Sequence, residues 1–184
     1  MMLNILTDNA SSGTVKRANR VRRGADNQQE RLKMSGWIVG FVDGEGCFSV
    51  SIFKNSTTRS KFQVMPEFVV TQGQKSLDSL QGIKRFFGCG AIYVNRRYDN
   101  HKENVYRYCV RSIRDLKQII IPFFRENQLK TYKKNDFEIF CKAIEMMLNR
   151  QHLSKEGIES IRNLKNPQRL YVGPSRFLKT AGKI

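Results

Sequence analysis

Histidine is almost missing from this 184-residue chain, which has only His101 and His152. That scarcity argues against zinc fingers and His-based nucleases, whose chemistry gathers several imidazoles in one place. The four cysteines, Cys47, Cys89, Cys109 and Cys141, are scattered without a C-x-x-C pair, so a zinc site is not expected and any metal should bind through oxygen. No stretch approaches the roughly 18 consecutive apolar residues of a membrane helix; Gln118 to Phe124 is a short run bounded by charges. The first dozen residues are broken by Asn4, Thr7, Asp8 and Asn9 and lack the apolar segment of a signal peptide. Membrane spanning and secretion are therefore not expected. Acids are also scarce.

Asp plus Glu number 16 against 33 Lys plus Arg, for a net charge of +17 and a pI near 10.1. Such a balance calls for a polyanionic partner, nucleic acid in preference to an anionic membrane. The length suits one domain of roughly 100–200 residues with tails. Forty per cent of the residues are apolar, enough for a core that buries about two-thirds of the unfolded surface.

Three parts are expected. Residues 1–33 carry Lys16, Arg17, Arg20, Arg22, Arg23, Arg31 and Lys33 against Asp8, Asp26 and Glu30, with little hydrophobic periodicity. They read as a flexible basic leader, either a solvated tail or a phosphate-binding arm. The remaining chain, with 26 basic and 13 acidic residues, is still strongly positive, so the leader does not explain the basicity. Residues 34–165 carry the regular patterning, and residues 166–184 form a loose basic tail in which Pro167, Gly173, Pro174 and Gly182 oppose regular structure.

Within the middle part a short helix from Met34 to about Asp43 precedes a strand at Cys47–Lys54, where Phe48, Val50 and Ile52 alternate with Ser49, Ser51 and Phe53. A polar loop leads to a second strand, Phe62–Thr71, in which Pro66 implies an edge or a bulge. Ser76 is placed to cap a helix through Phe87 that Gly88 and Gly90 stop. Strands at Ala91–Arg97 and Asn104–Arg111 make a second hairpin, followed by helices near Ser112–Ile120, Tyr132–Leu148 and Lys155–Leu164. The order is αββαββα with helix added at the end, an α+β class.

One strand face is polar. Ser49, Ser51, Phe53, Gln63, Glu67, Val69, Thr71, Tyr93, Asn95 and Arg97 share it, with Asn55 at the loop; it reads either as a solvated face or as a β-ribbon in the DNA major groove. Its mixture of amides, hydroxyls and apolar groups suits base readout, while Lys54, Arg59, Lys61, Arg96, Lys102, Arg107 and Arg111 would hold phosphates.

The densest signal is Met34-Ser-Gly-Trp-Ile-Val-Gly-Phe-Val-Asp-Gly-Glu-Gly-Cys-Phe48. Gly36, Gly40 and Gly44 recur on one helical face, where a second helix could approach closely. An interior glycine costs roughly 1 kcal/mol of helix propensity, so Gly40 needs a packing reason. Asp43 and Glu45 sit at the carbonyl end of the helix, where acids are unfavourable. Either a bound divalent cation relieves that conflict, or the tetrapeptide is a plain turn between helix and strand.

Ile38-Val-Gly-Phe-Val-Asp-Gly-Glu-Gly46 closely resembles the signature of the LAGLIDADG homing endonucleases, and the likeness in order and spacing extends from Met34 to about Asn149. Val39 stands where the family has a small Ala, and Glu45 where Asp is more frequent. The resemblance implies a saddle-shaped fold whose antiparallel sheet lies on double-stranded DNA. It implies that two motif helices pack together through Gly36, Trp37, Val39, Gly40 and Asp43, and one motif in the chain implies a homodimer acting on a long pseudo-palindromic site. Glu45 and the Gly44 carbonyl would hold Mg²⁺, with Mn²⁺ as a substitute, for hydrolysis of each strand to leave short 3′ overhangs. Gln72 would contact the solvent network, and Lys133, with Lys75 as a second candidate, would lie near the scissile phosphate.

The expected activity is a sequence-specific DNA endonuclease that promotes intron mobility. Two competitors share the composition: a non-cleaving binding protein on the same scaffold, serving as an intron RNA splicing cofactor or a transcriptional regulator, and a basic protein that coats nucleic acid. Intron RNA stays open as a partner. The expected location is an organelle, chloroplast or mitochondrion, or a bacterial cytoplasm.

Overall fold

The computed structural model describes residues 11–95, 103–164 and 181–183. Arg96, Arg97, His101, Lys102 and most of the C-terminal tail lie outside the described residues. By compactness the chain divides into Met1–Trp37 and Ile38–Ile184. The first unit is represented by the start of helix α1, Ser11–Glu45. The helix expected from Met34 thus begins at Ser11; its start has no acid in the first turn and little apolar periodicity, so neither a charge signal nor a hydrophobic stripe marked it.

In the second unit the elements follow as β1 (Gly46–Lys54), β2 (Phe62–Gly73), α2 (Leu77–Phe87), β3 (Ala91–Asn95) and β4 (Val105–Val110). A short α3 (Ile113–Asp115), a π-helical segment (Leu116–Ile120), α4 (Ile121–Glu126), α5 (Lys133–Leu148), α6 (Lys155–Leu164) and a three-residue strand β5 (Ala181–Lys183) complete it. The αββαββα order expected from the patterning is present. The helix expected to stop at Ile120 continues as α4, with Pro122 in its first turn, a position that needs no N–H donor. Ser76 precedes α2 but makes no side-chain cap bond; a 3₁₀ turn, Gln74–Ser76, leads in instead. At the other end Gly88 takes the left-handed φ of 66° and its N–H bonds Lys84, the stop that glycine permits.

The sheet order is β1-β2-β4-β3-β5, every pair antiparallel. Pro66 pairs with Val50 on β1, while the β4 pairing of β2 begins only at Phe68. The strand is an inner one and its register is unbroken, so neither an edge strand nor a bulge is found; the proline is accommodated because this stretch of β2 precedes the β4 pairing and one side of it is unpaired. Alternation sends Phe48, Phe68, Val70, Tyr108 and Ile92 inward, where α2, α4 and α5 cover them. Phe48 stacks on Phe68 at 5.0 Å between ring centroids and meets Phe124 and Phe137 edge-on at 5.2 and 5.1 Å. Such aromatic contacts contribute about 0.5–1.5 kcal/mol each beyond area burial. Helix α5 buries Phe137, Phe140, Cys141, Ile144 and Met147, the i, i+3, i+4 stripe of a helix lying on a core. Among the described residues no helix is long and apolar enough to cross a membrane.

Candidate functional site

Helix α1 ends at Glu45 with no basic residue in its own last turn, so its terminal carbonyls carry uncompensated negative potential. The compensation comes from the start of α5. Lys133 Nζ donates to the Val42 carbonyl at 3.0 Å and to the Gly44 carbonyl at 3.2 Å. The two acids of the motif then part ways. Asp43 accepts from Lys130 N at 2.7 Å, from Thr131 Oγ1 at 2.8 Å and from Thr131 N at 3.3 Å, pinning the turn that delivers Lys133. Burial alone would raise the Asp43 pKa, but these hydrogen bonds and the Lys133 charge together hold it below the ordinary carboxylate value. Glu45 is exposed, and among the described residues its carboxylate has no hydrogen-bond or ion-pair partner.

Gly46 makes the junction from helix to strand possible. A methyl built on it would come 2.5 Å from Val42 Cγ1 and 2.8 Å from the Val42 carbonyl, so only glycine lets β1 leave the helix this sharply. The pairing of Gly46 with Val70 sets Gln72 two residues further along β2 on the same, helix-covered face. Gln72 is half-buried opposite Tyr106. Lys75 is tied elsewhere: its exposed ammonium pairs with Glu103 at 2.8 Å, and that hydrogen bond raises its pKa. Thr131 and the Lys130 backbone, which orient Asp43, carried no sequence signal beyond a polar turn before a helix.

The opposite sheet face collects the residues that alternation assigned to it. Cross-strand pairs join Ser49 with Glu67, Phe53 with Gln63, Thr71 with Arg107, and Arg107 with Tyr93, while Asn95 meets Val105. Asn55 Nδ2 donates to Gln63 Oε1 at 2.9 Å, and Asn55 Oδ1 accepts from the Thr57 N–H at 3.0 Å, so the loop after β1 is hydrogen-bonded from within. Ser51 and Gln63 are exposed, whereas Val69 and Glu67 are buried on this face. Glu67 accepts from Arg107 and Arg111. Arg97 lies outside the described residues.

Of the residues expected at a helix contact, Gly36, Trp37 and Gly40 are exposed; a methyl group built on Gly36, Gly40 or Gly44 meets nothing within 4 Å. Val39 packs partly against the core of the second unit, and Asp43 is engaged with Lys130 and Thr131.

Among the described residues no three His, Cys, Asp or Glu gather into a ready metal cage. Mg²⁺ seldom uses one, being held by one or two carboxylates together with substrate phosphates. The free Glu45 carboxylate beside the Gly44 carbonyl is a hard, all-oxygen donor set, and it fits such an ion. A cleft of about 410 Å³ lined by Leu77, Gln81, Lys84, Gly88, Cys89 and Ile92 shares no residue with this helix end. Gly44 and Glu45 are themselves exposed.

An α+β unit with an acid-ended motif helix, a lysine on its terminal carbonyls and a broad polar sheet face is what the described residues assemble. The profile of the LAGLIDADG endonuclease family matches residues 38–144, and the chain belongs to that family. A probable intron-encoded endonuclease of Neurospora crassa is 32% identical over 130 residues, 71% of this chain and 26% of that protein. The crystal structure of the homing endonuclease I-TnaI superposes with a TM-score of 0.63 at 38% identity, over 71% of this chain and 84% of the other. The meganuclease I-SmaMI bound to uncleaveable DNA gives a TM-score of 0.65 at 30% identity, over 74% of this chain and 45% of the other. The chain spans about a quarter of the length of the fungal relatives it matches.

Proposed function

We propose that this chain is a sequence-specific double-stranded DNA endonuclease that needs Mg²⁺, with Mn²⁺ as a substitute. The observation that carries the reading is the division of labour at the end of α1: Glu45 is free, while Lys133 is held on the adjoining Val42 and Gly44 carbonyls. Glu45 and the Gly44 carbonyl would hold the ion. When bound, it supplies a Lewis acid that activates water and stabilises the leaving 3′ oxygen. An ammonium has three donors, and Lys133 spends two on backbone carbonyls. Its third is left for a water or a phosphate oxygen, where it would neutralise charge developing on the phosphate. Gln72, on the helix-covered face near the motif, would order the solvent there.

The sheet face supplies binding. Its polar residues would read base edges in the major groove, and flanking cations such as Lys54, Arg59 and Lys61 would fix register on phosphates. The glycine face of α1 would pack against the same helix of a second copy, and a twofold dimer would recognise a long pseudo-palindromic site. That relatives are named intron-encoded supports an intron origin and a role in intron mobility, in an organelle or a bacterial cytoplasm.

The test is incubation of a randomised duplex library with Mg²⁺, comparing wild type with Glu45→Gln and sequencing the ends. Paired specific cuts by wild type, lost in the variant while binding remains, are expected. Specific binding without any cut by wild type would instead assign a regulator or an intron RNA cofactor.

A further inference from the structure

The sheet face that would meet DNA carries a buried acid at its centre. The Glu67 side chain is 8% exposed. An isolated carboxylate there would repel a polyanion and would cost desolvation as well. Both of its oxygens are instead occupied, Oε1 by Arg107 Nη2 and Oε2 by Arg111 Nε, so the cluster is positive as a whole. Cys109 lies between the two arginines on the same face. Burial and the Glu67 charge push its thiol up to about 12, which keeps it neutral and out of the ion pairing.

Each guanidinium keeps part of its surface open, 26% for the Arg107 side chain and 35% for Arg111. Arg111 is held through Nε, which leaves both terminal amines as one edge; Arg107 is held through one hydrogen of Nη2, and the other hydrogen of that nitrogen completes an edge with its neighbouring N–H. The Arg111 guanidinium also lies over the Tyr93 ring, 5.8 Å from its centroid, a second contact that holds it on this face. A planar fork anchored through one donor and still partly open to solvent keeps an edge that can bond guanine O6 and N7 bidentately. A flexible phosphate contact needs no such anchoring.

We propose that Glu67 is a positioning residue that holds Arg107 and Arg111 as a preoriented pair of guanine readers on the sheet face. The proposal rests on the reading that this face binds duplex DNA. It predicts guanine at two positions of the bound site, one under each arginine. Both preferences depend on a residue that itself touches no base.

The experiment is selection of bound sites from a randomised duplex pool by the full chain, at fixed salt, for wild type, Glu67→Gln, Arg107→Ala, Arg111→Ala and Arg111→Lys. Thermal melting of each variant checks its fold. Wild type should enrich guanine at two positions, and each alanine variant should relax one of them by about 5- to 150-fold. Glu67→Gln should relax both while the salt slope of binding stays unchanged. Arg111→Lys keeps the charge without the fork, so it should lose one preference and keep the slope; an unchanged preference in this variant overturns the proposal even if Glu67→Gln fails to fold. Unchanged base preferences in Glu67→Gln and Arg111→Lys would overturn the proposal and leave a structural ion pair or a phosphate contact. Sites lacking guanine at such positions would overturn it while the DNA-binding reading stood. Failure of wild type to enrich any duplex would overturn both.

Discussion

Asp43 and Lys133 both tie the end of α1 to the start of α5, yet their losses should register in different assays. Lys133→Met removes a cation from two helix carbonyls, which costs about 0.3–1 kcal/mol of stability; cleavage should fall on the order of 10²-fold or more, with DNA affinity changed little. Asp43→Asn should act through acid stability. The folded Asp43 pKa lies below its unfolded value, so its stabilisation is complete above about pH 4. That stabilisation is lost as pH falls through the depressed value, because protonation weakens the bonds from Lys130 and Thr131. Denaturant melts at neutral pH and below pH 4 should therefore show wild type losing more stability on acidification than Asp43→Asn. Equal losses would remove Asp43 from the account. None of this partnership could be read from the motif. Asp43 and Thr131 are 88 residues apart, and a carboxylate followed by Gly-Glu-Gly gives no sign of which acid is tied and which is free.

At the level of elements, two glycines of one motif should respond in opposite ways. A methyl on Gly40 meets nothing within 4 Å, so Gly40→Ala should gain about 1 kcal/mol of helix propensity in the isolated fold. The same methyl would stand between two helices packed through this face, so self-association measured by sedimentation should weaken. Gly46→Ala should instead destabilise the fold by about 1–3 kcal/mol, the range for overpacking, because Val42 occupies the space. Stronger self-association in Gly40→Ala would remove the glycine face from the interface. Strand alternation was legible because a period of two sends each side chain to a set face; Ser49, Ser51, Phe53, Gln63 and Thr71 share one face as expected. Helix ends were less so. Residues 11–33 offered no apolar stripe, and α4 carries in its first turn a proline, which that position tolerates.

For the whole molecule, charge sets the scale of binding. A chain of net charge +17 on a duplex should show a steep fall of log K with log salt, about 0.9 per phosphate neutralised. Replacing exposed Lys54 and Arg59 by Ala should lower that slope by about two and leave base preferences untouched. The sheet arginines should do the reverse. Filter binding between 50 and 200 mM salt, roughly the range over which this effect is large, would show both; a slope unmoved by Lys54 and Arg59 would place the phosphates elsewhere.

Local and periodic features were therefore determined by the sequence itself: the α+β class, the motif helix, the wet sheet face and the basic balance. Each depends on neighbours a few residues away or on a sum over the chain, and both survive without knowledge of the fold. Tertiary structure alone decided which acid is free, that Lys133 caps the motif helix, that Lys75 pairs with Glu103, and that Glu67 lies under two arginines. Those contacts join residues from 28 to about 90 positions apart, and a side chain's partner at that distance is chosen by how sheet and helices pack, for which no local spacing rule exists.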